Sequence, residues 1–126
     1  MSEDGANLVA RTYPIAFSIS GETWVNNHAH VLKFQNNFTQ VLVESYLNSI
    51  NLGEFLTGMA QPKLNRAKLD TIPIPLPKEK EQLKIAECLS ALDTLIAAQA
   101  EKIKNLKLHK KGLVQGLYPA IEEVGE

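Results

Sequence analysis

Two polar clusters are the places in this 126-residue chain where side chains could do chemistry. The first is Gln61, Lys63, Asn65 and Arg66, with Lys68 close behind, in or beside a loop bounded by Gly58 and Pro62. These residue types suit duplex DNA. Gln and Asn amides match the donor and acceptor edge of adenine, Arg and Lys match guanine, and the cations also neutralise phosphates. A plainer account fits the same residues: Asn65 caps a turn of helix, and the basic side chains are simply solvated. The second cluster is Asn26, Asn27, His28 and His30, next to Trp24. It could also touch DNA, but short polar side chains in loops commonly bond the neighbouring backbone, and that structural reading is placed first.

A metal site on His28 and His30 would need further ligands converging from elsewhere, and Cys88, the only cysteine, falls in a different element. Neither a metal nor a cofactor is expected. Catalysis finds no foothold either: the sequence has no Ser/His/Asp order set in the context of a hydrolase family, no glycine-rich phosphate loop and no His-Glu helix motif. The chemistry on offer is binding.

The elements that must position these clusters follow from periodicity and punctuation. Residues 7–34 read as short strands: Leu8-Val9, then 15–19, a turn at Ser20-Gly21-Glu22, Trp24-Val25, and 28–34, where His28, His30, Leu32 and Phe34 share one face. A helix should run from about Phe38 to Ile50, capped by Asn37, with Phe38, Leu42, Tyr46 and Ile50 facing inward. A short helical segment near 54–56, a loop over 58–62 and a helical turn capped by Asn65 and reaching about Leu69 come next. In 71–77, Ile72, Ile74 and Leu76 alternate with Pro73, Pro75 and Pro77, which describes an edge strand that refuses further partners. Trp24, Phe17, Phe34 and Phe38 are assigned to the core. The expected fold class is α+β, a small mixed unit of strands and helices followed by one long helix.

That last helix carries the strongest periodic signal. Ile85, Leu89, Leu92, Ile96, Ile103, Leu106, Leu113 and Leu117 keep a 4,3 spacing, and only Gln99 and Lys110 interrupt the seam with polar groups. No proline falls between Lys78 and Leu117, so a helix of ~60 Å follows at 1.5 Å per residue. Pro77 suits its first turn, Glu79 and Glu81 suit the positive end of its dipole, and Gly116 to Pro119 should stop it. Acids (Glu79, Glu81, Glu87, Asp93) occupy its first half and Lys102, Lys104, Lys107, Lys110 and Lys111 its second. An antiparallel partner of like sequence would lay acid against base, although the same polarity also suits the helix's own macrodipole. The organisation is therefore 1–77, a globular unit; 78–118, the coiled-coil helix; and 119–126, a tail.

Bulk composition sets limits on partners. With 44% hydrophobic and 21% charged residues and a net charge of −1, the chain is no polycation that coats nucleic acid indiscriminately. Any DNA specificity must rest on a few placed side chains. The ~77 residues ahead of the helix can bury only a modest core. No apolar run approaches the length of a membrane span and the amino terminus has no signal character, so a cytoplasmic address and no membrane partner are expected.

Trp24-Val25-Asn26-Asn27-His28-Ala29-His30, then 58–65 (GMAQPKLN), Ile74-Pro75-Leu76-Pro77, Glu81-Gln82 and the heptad helix follow one another in an order that resembles the specificity subunit of type I restriction-modification enzymes. The likeness covers nearly the whole chain, from Ser2 to about Tyr118, and lies in the succession rather than in one motif. It implies part of a target-recognition domain (1–77) that reads one half of a bipartite DNA sequence, followed by the family's conserved coiled-coil spacer. In that family two such domains and two antiparallel helices act as a ruler, and the assembly holds methyltransferase (modification) and restriction subunits, which do the chemistry. The resemblance thus implies a non-catalytic DNA-specificity subunit. The family's recognition domain begins well before the segment matched by Ser2 to Asn7, so the likeness implies a carboxy-terminal piece. In isolation its seam should form an antiparallel homodimer through Ile85, Leu89, Leu92, Ile96, Gln99, Ile103, Leu106, Lys110, Leu113 and Leu117. Two rivals stay open: an oligomerisation scaffold that reads no DNA, and a half-subunit that dimerises to read a palindromic split site.

Overall fold

The computed structural model describes residues 1–58 and 60–118, in two compact units, Met1–Leu89 and Ser90–Glu126. The elements are α1 (Asn7–Ala10), α2 (Asn37–Ser49), a 3-10 turn (Gly53–Phe55), α3 (Arg66–Leu69) and α4 (Glu79–Leu117). The expected α+β class is therefore overturned. Among the described residues no strand or sheet forms, only three isolated antiparallel bridges that join Ser2 to Ala29, Asp4 to Lys63 and Thr57 to Lys63. The fold is helical, with a little over half of the described residues in helix.

Hydrogen-bond accounting explains why the expected strands do not assemble. Leu8-Val9 lies in α1, which ends where Arg11 takes the left-handed conformation at φ 53°. Residues 15–16 are deeply buried, but a side chain takes the place of a neighbouring strand. The Asn48 Oδ1 accepts from the Ile15 and Ala16 amides at 2.9 and 3.1 Å, and its Nδ2 donates to the Ala16 carbonyl at 2.7 Å. With those groups satisfied, and the Ile15 carbonyl taken by the Ser2 amide at 2.7 Å, nothing is left over for a ladder. In 71–77 the prolines remove too many N–H groups for pairing: Ile72 is buried and Ile74 half-buried, whereas Leu76 is exposed.

Helix α2 starts one residue earlier than expected, because Asn36, not Asn37, supplies the cap through its Oδ1 to the Thr39 amide at 3.0 Å. Its inward face is turned relative to the expected one: Leu42, Val43 and Leu47 are buried while Phe38 and Tyr46 are only half-buried. Val43 and Leu47 pack with Leu8, Ile15, Ala16, Leu52, Leu64, Leu69 and Ile72 in one small core. Arg11 closes the carboxyl end of α2 by donating to the Leu47 and Ile50 carbonyls at 3.2 and 2.6 Å, placing a cation where the helix dipole is negative. Phe17 and Trp24, assigned to the core from sequence, are instead 62% and 95% exposed.

The first turn of α4 is tied to α2 by Gln82, whose Oε1 accepts from the Thr39 hydroxyl at 2.7 Å and whose Nε2 donates to the Pro77 carbonyl at 2.8 Å. Within α4, Ala86 is buried and Leu89 half-buried, whereas every residue of 90–118 is exposed. The seam therefore shows Leu92, Ile96, Ile103, Leu106, Leu113 and Leu117 to solvent. Pro119 and the tail 119–126 lie outside the described residues.

Candidate nucleic-acid interface

The two polar clusters are distant in sequence but meet at the amino terminus. Residues 1–4 run between them, with the Glu3 amide on the His28 carbonyl at 2.9 Å and the Leu64 amide on the Glu3 carbonyl at 2.7 Å. The Gly5 amide reaches the Pro62 carbonyl at 3.1 Å. The His30 ring closes the arrangement through Nε2 to the Leu64 carbonyl at 2.6 Å, and since a carbonyl can only accept, that nitrogen carries the proton. Burial pushes the Met1 ammonium below its usual pKa, with the Glu44 carboxylate opposing that shift.

The candidate side chains divide by what they already touch. Asn26 and Asn65 are structural: the Asn26 Oδ1 accepts from the His28 amide at 3.0 Å, and the Asn65 Oδ1 caps α3 through the Lys68 amide at 2.9 Å. Lys63 and Arg66 are ion-paired, Lys63 to Glu3 at 3.1 Å and Arg66 to Asp70 at 2.9 Å. His28 is likewise paired, its Nδ1 lying 2.7 Å from Asp4. The Gln61, Asn27 and Lys68 side chains are exposed, and among the described residues none has a hydrogen-bond or ion-pair partner. A recognition surface built here therefore has three ready groups and two ion-paired cations. Arg66 and Asp70 are both solvent-exposed, and such pairs hold by only ~0–1 kcal/mol, so a phosphate can displace Asp70 at little cost, whereas the Glu3 carboxylate that holds Lys63 is only 20% exposed.

Sequence reasoning missed the counter-ions. Asp70 was readable, because Arg66 and Asp70 stand i,i+4 on one helical turn. Glu3 and Asp4 carry no local signal, since they meet Lys63 and His28 only through the folded path of residues 1–4.

The loop carrying Gln61 is clamped at its base, where Thr57 and Lys63 exchange both backbone hydrogen bonds at 2.8 Å. Gly58 sits just inside at φ +83°, and a Cβ built there would lie 2.5 Å from the Gln61 carbonyl oxygen. Only glycine tolerates that combination. Gly58→Ala should open the clamp at a cost of about 2 kcal/mol, seen as a loss of hydrogen-exchange protection at the Thr57 and Lys63 amides. Unchanged protection would show that the loop does not depend on the glycine.

Comparison with known proteins agrees with the resemblance read from sequence. The family described as the type I restriction modification DNA specificity domain matches residues 10–108. The chain belongs to that family. A Haemophilus influenzae protein named for a type I restriction enzyme specificity subunit is 36% identical over 95 residues, which is 75% of this chain and 24% of that protein. The MjaVIII type I restriction enzyme specificity subunit of Methanocaldococcus jannaschii is 38% identical over 77 residues, 61% of this chain and 17% of its own length. The chain thus spans a quarter or less of the curated relatives it matches. No solved structure matches it significantly.

Proposed function

We propose that this chain is a non-catalytic part of a type I restriction enzyme specificity subunit, in which unit 1–77 reads one half of a bipartite DNA target. The supporting observation is that Asn27, Gln61 and Lys68, exposed and without partners among the described residues, stand on the same small unit as the ion-paired cations Lys63 and Arg66. Asn26 and Asn65 act beneath them, holding the loop and the α3 turn in place. The amides would read base edges, and the three cations would bind phosphates. In the complete enzyme, helix α4 sets the distance to the second half-site by packing on a matching helix. Methyltransferase and restriction subunits are the partners that perform the chemistry. The isolated chain pairs with a second copy, antiparallel, through the α4 seam. Among the described residues no helix is long and apolar enough to cross a membrane, and a cytoplasmic address suits an enzyme that works on DNA.

The test uses the full specificity subunit with its methyltransferase. Lys63→Ala, Arg66→Ala and Lys68→Ala together should weaken DNA binding and reduce the log-log salt slope by about 2–3, since each lost phosphate contact removes ~0.9. A scaffold that reads no DNA predicts an unchanged slope, and that result would refute the proposal. Deleting the gene should also erase methylation at a bipartite motif in the host genome.

A further inference from the structure

Met1 and His30 exchange two hydrogen bonds: the Met1 ammonium donates to the His30 carbonyl at 3.0 Å, and the His30 amide donates to the Met1 carbonyl at 2.8 Å. This is the reciprocal pattern of a hydrogen-bonded pair in an antiparallel ladder, with the ammonium standing where an amide N–H would be. Ser2 with Ala29 is the next rung on one side. On the other side the chain past His30 stays ready for pairing. His30, Leu32 and Phe34 are half-buried while Val31 and Lys33 are exposed, the period-two alternation of extended backbone. In that geometry the Leu32 N–H and C=O point the same way as those of His30, and among the described residues neither has a partner.

Beside this edge lies an open groove of about 410 Å³, walled by Phe17, Ile19, Trp24, Val25, Val31 and Phe34. Trp24 is 95% exposed and Phe17 62% exposed, so the walls are apolar surface without cover. At the rim, the Glu44 carboxylate accepts from the Ser18 hydroxyl at 2.5 Å, and Gln40 donates to the same hydroxyl at 2.8 Å. An anionic rim over apolar walls is hostile to a phosphate backbone and suits a polypeptide. The Haemophilus influenzae relative has about three-quarters of its length outside the region matched, so such polypeptide is at hand in the family.

We propose that the 31–34 edge and its groove receive an extended strand continuous with Met1 in longer members of the family. The strand runs antiparallel to 31–34. The residue two positions before Met1 exchanges both backbone hydrogen bonds with Leu32, and its side chain, on the same face as that of Met1, enters the groove. Main-chain bonding makes the occupant tolerant of sequence, and its covalent attachment at Met1 gives it a high effective concentration.

The experiment compares three chains by amide exchange and Trp24 fluorescence: the chain itself, the chain extended before Met1 by eight alternating Thr and Val residues, and the chain extended by eight Gly and Ser residues. The Thr/Val extension should slow exchange at the Leu32 amide by about tenfold or more relative to the Gly/Ser extension. It should also shift Trp24 emission to shorter wavelength. Proline two positions before Met1 should abolish both effects, because it has no N–H to give Leu32. Equal Leu32 exchange in all three chains overturns the proposal. So does protection in the unextended chain that grows with protein concentration, which would make a second copy the occupant. No DNA enters the assay, so its failure leaves the DNA-reading proposal standing.

Discussion

Replacing Asn48 by Ala should be the most damaging single substitution in the Met1–Leu89 unit, lowering its stability by about 3 kcal/mol and its melting midpoint by roughly 15 °C. The side chain makes three hydrogen bonds to Ile15 and Ala16, which are 0% and 6% exposed. Truncation leaves two amides and one carbonyl without partners in a place water reaches poorly, and each such buried orphan costs ~1–3 kcal/mol. Asn48→Asp separates the terms, since a carboxylate keeps the acceptor for both amides and loses the donor to the Ala16 carbonyl. It should fall between wild type and Asn48→Ala. Calorimetry is the appropriate measurement, because helix α4 dominates circular dichroism and the exposed Trp24 reports little on the core. A loss below about 0.5 kcal/mol for Asn48→Ala would mean that the 15–16 segment is held by something else.

Ile96→Asp with Ile103→Asp should abolish association of the isolated chain while leaving the Met1–Leu89 unit folded. Both isoleucines lie in the exposed seam, at 66% and 52% exposure. Covering an isoleucine gains ~1.5–3 kcal/mol, and the two substitutions act on both copies, so the dissociation constant should rise by at least about a thousandfold. Sedimentation at tens of micromolar should give a dimer for wild type and a monomer for the double variant. The converse change, Gln99→Leu with Lys110→Ile, should tighten pairing and relax its orientation, since polar seam residues fix register at some loss of stability. A monomeric wild type under these conditions would remove the antiparallel homodimer.

What the sequence revealed was local. The α3 turn with its Asn65 cap, the span of α2 to within a residue and the long helix α4 all follow from short-range signals, namely caps, heptads and the distribution of proline. The errors were in pairing. Segments such as 15–19 and 28–34 have the alternation of strands, but alternation only describes what a segment can offer. Whether it joins a ladder depends on what faces it, and here 15–16 faces one asparagine and the Ser2 amide, while 28–30 faces only the three residues of the amino terminus. Trp24 failed for a related reason, because its size marks it for cover without saying whether the cover lies in these 126 residues. Within the candidate interface, residue types were legible and partners were not. Lys63 and His28 find Glu3 and Asp4 through tertiary contact alone.

The isolated bridges bear on how such a unit could change over time. A sheet ties each strand to a shared register, so inserting one residue inverts every side chain downstream. Here Ser2 with Ala29, Asp4 with Lys63 and Thr57 with Lys63 act as separate spot welds, and the spans between them can lengthen, shorten or be rewritten without disturbing a common lattice. A surface fastened in this way can diversify loop by loop while its anchors stay fixed.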